Sequence, residues 1–306
     1  MKKCDRDERA ANRAINAIKA FGTSRHINKN DGKVKSVGTA RSYRQTFKLA
    51  SRFCAQHKTP LGKISKDLAN QFLQHRAPQI QNTQLQNERK ALEHHLQNIY
   101  SNKNINLDKI SSTREPPKLV PRAYSHDQVK LIIKHSSDRQ ALSTAIAYQA
   151  GLRASELLTI SRAIDRPVTH RTNEWSSERF TGGREQWNTY TVIGKGGLPR
   201  EVKLSDELAQ RLEQHRHAEP LLRTDRTIHC NQLYNINGGQ TFSQQFGYAS
   251  RQSLGFSNGA HGLRHAFAQQ RLAELMAAGK TAEQAKPILS QELGHWSEKI
   301  IERYLR

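Results

Sequence analysis

The 306-residue sequence has few cysteines, few acidic residues for its many basic ones, and no long apolar run. Its three cysteines, Cys4, Cys54 and Cys230, are odd in number and widely spaced, which argues against a disulfide framework and a CxxC metal site. No apolar stretch approaches the roughly 18 residues that a membrane helix needs. The charged start of the chain also does not resemble a signal peptide. We therefore expect a cytoplasmic protein with no membrane partner.

The shortage of acidic residues is the most informative feature. Against 49 lysines and arginines stand 27 aspartates and glutamates, which leaves a net charge of +22. Residues 1–122 carry 25 basic and 9 acidic side chains, whereas residues 123–306 carry 24 and 18. Such an excess is typical of proteins that bind a polyanion, most often nucleic acid, although a ribosome-associated or merely soluble basic protein also fits. The first part of the chain is expected to bind phosphates.

The pattern of apolar residues and prolines predicts two domains. Residues 1–35 form a basic N-terminal segment. Through 36–112, apolar residues recur at spacings of three and four, which predicts an all-helical domain. Three prolines and several charges at 113–122 favour a linker, because proline resists both helix and sheet. Residues 123–306 then form the second domain.

The second domain mixes helices with a small antiparallel β-sheet. Residues 189–193 and 200–204 predict two strands joined by a glycine-rich turn, with Val202 and Leu204 on one face. Ser125 opens a helix with Gln128 three residues on, which is a capping-box pattern. The remaining predicted helices run from 138 to 157 and over 205–216, 241–254, 261–277, 281–293 (interrupted near Pro287) and 297–305. The stretch 161–187 is polar and irregular.

Two basic residues of this domain are candidates for binding a phosphate. Arg153 has Glu156 three residues on, and an i, i+3 contact would hold its guanidinium group in place for bidentate binding. Lys195 lies at the tip of the predicted hairpin, where a lysine is normally exposed and inert. The glycines beside it, however, would let the loop approach a DNA backbone closely.

Two histidines, an arginine and a tyrosine complete the candidate set. His261 and Arg264 share one helix face by their spacing. His261 and His265 also have the spacing of a zinc pair, but Gly262 stands where a metalloprotease has glutamate, and no third ligand is evident. His295 follows a predicted helix end at Gly294, and Tyr304 lies nine residues further on.

Taken together, six residues resemble the catalytic set of the tyrosine recombinases of the phage-integrase type: Arg153, Lys195, His261, Arg264, His295 and Tyr304. All six positions are filled in the order that the family shows. The resemblance covers 123–306 clearly and 36–110 more loosely. It implies a mainly α fold, with a helical core-binding (SAM-like) domain followed by a mixed α+β catalytic domain.

The resemblance implies that Tyr304 attacks a DNA phosphodiester and forms a 3′-phosphotyrosine. A phosphodiester resists attack because its negative charge repels nucleophiles and its leaving alkoxide is a strong base. Arg153 and Arg264 would bind the non-bridging oxygens, with five donors each and a permanent charge.

Three further residues would manage protons and hydrogen bonds. Lys195 would protonate the leaving 5′ oxygen, as the family implies. His261 would accept the proton of the tyrosine, whose ordinary pKa is about 10. His295 would donate a hydrogen bond to the phosphate. The covalent bond conserves the phosphodiester energy, so we expect no cofactor, ATP or metal.

The resemblance also implies partners. These are double-stranded DNA held between the two domains, a homotetramer on two DNA sites, and accessory DNA-bending factors. Integration or excision of a mobile element is the expected role, and the stretch 161–187 would be a loop over the DNA or an insertion. Many family members continue beyond the nucleophile with a segment that packs on a neighbouring protomer. This sequence stops at Arg306, so either the natural chain is longer or protomer contacts lie elsewhere.

Three alternatives compete with this interpretation. A type IB topoisomerase uses nearly the same residues, but the LGH motif and the helical first domain argue against it. A catalytically silent DNA-binding relative would have no need to keep all six residues. A generic RNA-binding protein would have no reason to carry them, and the sequence has no RNP-type aromatic motif.

Overall fold

The computed structural model describes residues 5–21, 32–116, 118–168, 175–194 and 196–305. They form two compact units, Met1–Lys118 and Leu119–Arg306. Helices dominate both units, and two small antiparallel sheets lie in the second. The mainly α fold class predicted from the sequence is therefore confirmed. Within the described residues, no helix is both long and apolar enough to cross a membrane.

The first unit packs its helices around one core, and the predicted apolar stripes face inward. Phe47, Cys54 and Leu92 are fully buried there. The side chains of Ser36 and Ser65 cap two of the helices by accepting hydrogen bonds from backbone amides. The helices are α1 (Arg6–Ile18), α2 (Val37–Gln56), α3 (Lys66–Arg76) and α4 (Asn82–Ile99).

The helix α1 belongs to this core. Its residues Ala11, Ile15 and Ile18 are buried in the same cluster as Phe47. Residues 1–35 were predicted from the sequence to be a separate basic segment. The described part of that segment shares the apolar core of the first unit, because its few apolar residues fall on one helix face.

The first helix of the second unit begins with the predicted capping box. The Ser125 side chain accepts a hydrogen bond from the Gln128 amide, and the Gln128 side chain accepts one from the Ser125 amide. Short 3₁₀ turns lie at Glu156–Thr159 and Glu298–Arg303. The α-helices are α5 (His126–Lys134), α6 (Asp138–Ala150), α7 (Asp206–Gln214), α8 (Gly239–Leu254), α9 (His261–Ala277) and α10 (Ala282–Glu292).

In the described part of the second unit, five strands form two sheets. The first sheet has the order β1-β2-β3, and Tyr190 is paired with Val202 in the hairpin that the sequence predicts. The second sheet, a long hairpin of β4 and β5, was not predicted, because eight of the ten residues of β4 are exposed and its sequence shows no apolar alternation. The strands are β1 (Ser161–Arg162), β2 (Asn188–Ile193), β3 (Pro199–Leu204), β4 (Arg216–Asp225) and β5 (Ile228–Tyr234).

Three predicted helices differ from the structure. The helix predicted from 138 to 157 ends at Ala150, because Gly151 adopts a left-handed φ of 60°. Pro287 does not interrupt α10, since the carbonyl it leaves unpaired belongs to exposed Glu283, where water can bind it. The predicted helix 297–305 is instead the 3₁₀ turn named above.

The described part of the irregular stretch 161–187 is fastened to α9 and α10. Arg184 is buried and binds Glu274 through two hydrogen bonds of 2.7 and 2.8 Å. The amide of Phe180 donates to Glu292 at 2.8 Å. Residues 169–174 lie outside the described part of the chain. The sequence of 161–187 predicted no regular structure, because polar contacts rather than an apolar pattern hold its described part in place.

Candidate active site

A close approach of α6 and α9 creates the site. A Cβ atom on Gly151 would lie 2.5 Å from the Phe267 ring, so only glycine fits between the end of α6 and the flank of α9. The carbonyl of Gly151 accepts a hydrogen bond from Nη1 of Arg264. The turn after α6 therefore places Arg153 beside the first turns of α9.

Arg153 is held as the sequence spacing predicts. Its Nη1 donates to Oε1 of Glu156 at 2.6 Å, and its backbone amide donates to Oε2 at 2.8 Å. Its Nη2 lies 3.0 Å from Nε2 of His295. Because the side chain is about 21% exposed, a ligand can still reach the guanidinium group.

Glu156 is fully buried and lies among three arginines. Arg200 donates to its carboxylate at 2.8 Å, and Arg264 lies 3.8 Å away. Burial alone would raise the pKa of Glu156, but the charges of Arg200, Arg264 and Arg153 outweigh it and hold this pKa at about 2. The carboxylate therefore stays ionised and partly offsets the charge of the arginines.

Arg264 is fully buried beside the terminal tyrosine. Its Nε donates to Oη of Tyr304 at 3.3 Å, and its Nη2 donates to the carbonyl of Leu293. Its guanidinium carbon also lies 5.5 Å from the centre of the Tyr304 ring. Desolvation, followed by the charge of Arg153, lowers the pKa of Arg264 to about 10, so the group is charged at neutral pH.

His295 contacts three other candidate residues of the site through one ring nitrogen. Its Nε2 lies 3.0 Å from Nη2 of Arg153, 3.3 Å from Nη2 of Arg264 and 3.4 Å from Oη of Tyr304. Arginine nitrogens only donate, so Nε2 accepts and the neutral ring carries its proton on Nδ1. Burial, followed by the charges of Arg264 and Arg153, lowers the pKa of His295 to about 3.

Tyr304 is itself buried, with only 6% of its surface exposed. It follows the 3₁₀ turn, and its amide donates to the Ile301 carbonyl at 2.7 Å. Its ring packs against His265 and His261, at centroid distances of 5.0 and 5.6 Å. The hydroxyl group is therefore directed at Arg264 and His295.

His261 lies at the first position of α9 and is exposed. Partial loss of ring hydration, followed by the charges of Arg264 and of His265 when protonated, lowers the pKa of His261 to about 4. The hydrogen bonds described for the Tyr304 hydroxyl involve Arg264 and His295 rather than His261. The His261 and His265 rings lie edge to face, 5.4 Å apart. The described residues contain no group of three histidine, cysteine, aspartate or glutamate side chains placed to hold a metal.

Lys195 lies outside the described residues. The hairpin that carries it is described on both sides. Gly194 donates to the Leu198 carbonyl at 2.8 Å, and Gly196 and Gly197 have φ values of 82° and 78°. The structure thus brings together five of the six predicted residues.

Arg200 was not among the site residues predicted from the sequence. The residue alternates with Val202 and Leu204 on the buried face of β3 and is 1% exposed. Its Nη1 donates to the Glu292 carbonyl at 2.7 Å, and Glu292 in turn accepts from Arg271 at 2.9 Å. An arginine at an inward strand position was the available signal, because burying a charge requires a partner.

Comparisons with known proteins place the fold. No protein-family model and no curated protein sequence matches the chain. Among solved structures, the XerH site-specific recombinase bound to palindromic difH substrate in a post-cleavage complex is similar. It is 15% identical with a TM-score of 0.56, over 100% of this chain and 94% of that one.

Lambda integrase is similar in two assemblies. A dimer bound to a COC′ core site is 16% identical, with a TM-score of 0.55 over 97% of this chain and 76% of that one. A tetramer bound to a Holliday junction is 16% identical, with a TM-score of 0.54 over 99% and 78%. The chain therefore has the fold of the tyrosine recombinases, as the sequence predicts.

Proposed function

We propose that this chain is a site-specific tyrosine recombinase, which cuts and rejoins double-stranded DNA through a covalent bond to Tyr304. One observation carries the proposal: the Tyr304 hydroxyl lies 3.3 Å from Nε of Arg264 and 3.4 Å from Nε2 of His295. Arg153 contacts the same histidine nitrogen. A nucleophile, two permanent cations and a neutral proton acceptor thus share one site, as phosphoryl transfer by a side chain requires.

The reaction balances with these groups. The Tyr304 oxygen bonds to phosphorus while the bond to the 5′ oxygen breaks, leaving a 3′-phosphotyrosine and a 5′-hydroxyl group. Arg153 and Arg264 offset the charge that grows on the non-bridging oxygens. Lys195 would supply the proton of the leaving oxygen. Attack by a 5′-hydroxyl group from another strand reverses these steps and completes the exchange.

The geometry favours His295 over His261 as the first acceptor of the tyrosine proton. Its Nε2 accepts a hydrogen bond from Arg153 in this structure and lies 3.4 Å from the Tyr304 hydroxyl. When a phosphate enters, the N–H groups of Arg153 and Arg264 turn to its oxygens. The lone pair on Nε2 of His295 is then available to the tyrosine hydroxyl.

The fold and the charge support a proposal for the wider biological role. The similar lambda integrase assemblies contain DNA, one of them a tetramer on a Holliday junction. For this chain, we infer a homotetramer on two DNA sites, assisted by DNA-bending factors. Integration or excision of a mobile element is the proposed role, and the basic residues of the first unit would bind DNA phosphates.

Capture of covalent DNA tests the proposal. The full chain is incubated with fragmented genomic DNA from its source, the reaction is stopped with SDS, and the DNA that stays attached is sequenced. Wild-type protein should capture a defined sequence and Tyr304→Phe none. Tyr248→Phe is the matched control, because Tyr248 is 64% exposed on α8 and should capture as wild type does. Salt-sensitive binding without capture by wild type would favour a silent DNA-binding protein.

A further inference from the structure

A basic cavity lies beside the candidate active site. It has a volume of about 340 Å³, and Arg153 and His261 line it, so it adjoins the site of cleavage. The other side chains that matter to its chemistry are Arg122, Ser155, Arg226 and Asn258. Its described lining includes no aspartate or glutamate. The cavity therefore suits an anion.

Arg226 lies at the tip of the β4–β5 hairpin and lines the cavity. Hydrogen bonds hold this tip in place. Arg226 and Thr227 have φ values of 49° and 70°, which make the turn tight. Oδ1 of Asp225 accepts from the amide of Gln240 at 2.9 Å. The neighbouring amide of Gly239 donates to the Ala154 carbonyl at 2.7 Å. The tip is thus tied to the segment that follows Arg153.

Arg122 lies in the segment before α5, and hydrogen bonds to Asn258 hold it in place. Its Nη2 donates to the Asn258 carbonyl at 3.3 Å, and Nδ2 of Asn258 donates to the Arg122 carbonyl at 3.2 Å. A Cβ atom on Gly262 would lie 2.6 Å from that carbonyl, so the segment packs directly on the start of α9. Glycine in the HGLRH motif thus permits the contact that places Arg122.

Both arginines retain donors for a ligand. An arginine carries five N–H donors. The contacts described for Arg122 use one of them, and those for Arg226 use two, both to Asp225. Oδ2 of Asp225 partly offsets the charge of Arg226. Oδ1 of Asp225 accepts a hydrogen bond from the Gln240 amide of α8 instead. The side chain of Arg226 is 44% exposed, so it can turn toward an anion.

We propose that this cavity binds the DNA phosphate adjacent to the one that Tyr304 attacks. The inference rests on the proposed function. A DNA strand presents phosphates at a regular spacing, and an anion in the cavity shares Arg153 and His261 with the site of attack. Arg122 and Arg226 supply the bidentate geometry that phosphate oxygens prefer. The hairpin tip would then hold the strand in register for cleavage.

Salt-dependent DNA binding tests the cavity. Full-length Tyr304→Phe protein is titrated against a fluorescent duplex of the captured sequence at several salt concentrations. Adding Arg226→Ala or Arg122→Ala should reduce the slope of log K against log salt by about 1, because one phosphate contact is lost. Arg223→Ala is the matched control, since Arg223 is exposed on the same hairpin and bonds to Gln232. Equal slopes for Arg226→Ala and Arg223→Ala would overturn the proposal.

A neutral phosphate locates the contact. The test uses duplexes in which one methylphosphonate replaces the phosphate beside the cleaved position. The Tyr304→Phe protein should bind this duplex about threefold to tenfold more weakly than the unmodified one. For the protein that also carries Arg226→Ala, the methylphosphonate should cause little further loss of affinity. Additive losses would place Arg226 on another phosphate and sink the idea. Inorganic phosphate at constant ionic strength separates the other source. Suppose that inorganic phosphate raises the unfolding temperature of the protein with Arg226 but not that of Arg226→Ala, while Arg226→Ala and Arg223→Ala have equal salt slopes for DNA binding. The cavity then holds free phosphate, and the assignment to a DNA phosphate is wrong.

The outcomes also separate this inference from the proposed function. One outcome is that wild type captures no DNA, but Arg226→Ala still reduces the salt slope of binding when genomic fragments serve as the DNA. The cleavage proposal then fails, and the cavity remains a phosphate site without an adjacent cleavage. If wild type captures DNA and the slopes agree, only the cavity proposal fails.

Discussion

The Glu156 carboxylate lies 2.8 Å from Nη2 of Arg200, and both side chains are about 1% exposed. This buried pair connects the phosphate-binding candidates to the rest of the unit. Glu156 holds Arg153 on one side, and Arg200 donates to the backbone of Glu292 on the other. The position of Arg153 therefore depends on a strand residue that touches no candidate nucleophile.

Replacing Arg200 tests this dependence. Arg200→Met should lower the free energy of unfolding by about 3 kcal/mol, because removing one partner leaves a buried charge less compensated. Tryptophan fluorescence reports the second unit alone, since all three tryptophans (Trp175, Trp187 and Trp296) lie within it. Arg211→Met, at an exposed ion pair with Asp138, should change the same free energy by less than about 0.5 kcal/mol. Similar losses in both variants would contradict the account.

Gly262→Ala tests the packing of Arg122 on α9. The added Cβ would lie 2.5 Å from the Tyr124 ring and 2.6 Å from the Arg122 carbonyl. We expect a loss of about 1–3 kcal/mol in the unfolding free energy, as overpacking usually costs. Gly247→Ala is the control, because its Cβ would meet nothing closer than 3.6 Å, and alanine should stabilise α8 by about 0.5–1 kcal/mol. A neutral Gly262→Ala would show that the contact can relax.

The two histidines should differ in their kinetic effects. His295→Gln should slow single-turnover cleavage of the captured sequence by about 10²- to 10⁴-fold, the usual contribution of a general base. His261→Gln should slow it less, because the described hydrogen bonds place the Tyr304 hydroxyl against His295. DNA affinity, measured without cleavage, should change little in His295→Gln. A larger rate loss in His261→Gln would reassign the proton acceptor.

Stability of the second unit should fall in acid, in two ranges of pH. The pKa values of His261 and His295 are lowered from 6.5 to about 4 and about 3. Between pH 6.5 and those values the unfolded chain binds protons that the folded chain does not, so stability falls as the pH falls. Glu156 acts from pH 4.5 down to about 2, because its carboxylate stays ionised only in the folded state.

Unfolding followed by tryptophan fluorescence between pH 3 and 8 measures this dependence. His295→Gln should flatten the slope between pH 6.5 and about 4, since it removes one of the two histidines responsible. His126→Gln is the control, because His126 is exposed at the start of α5. An unchanged slope in His295→Gln would mean that folding does not lower the pKa of this ring.

Much of the fold and site was predictable where neighbours in sequence are neighbours in space. The apolar stripe around Phe47, the capping box at Ser125 and the contact between Arg153 and Glu156 all lie within a turn or two of helix. The β2–β3 hairpin was also predictable, because strand alternation and a glycine-rich turn are local signals. Resemblance to a family added the order of the site residues, which propensity alone does not supply.

Contacts between distant residues were decided only by the tertiary structure. Arg200 meets Glu156 across 44 positions, and Arg226 reaches the cavity from a hairpin that has no apolar alternation. The partner of the Tyr304 hydroxyl was also unpredictable, because His261 and His295 both pack near the ring and the hydroxyl direction depends on how α9, α10 and the last turn pack. Residue type and spacing determine which groups a helix or strand presents. Burial among distant elements determines which charges pair, since a buried charge is stable only where the fold provides its partner.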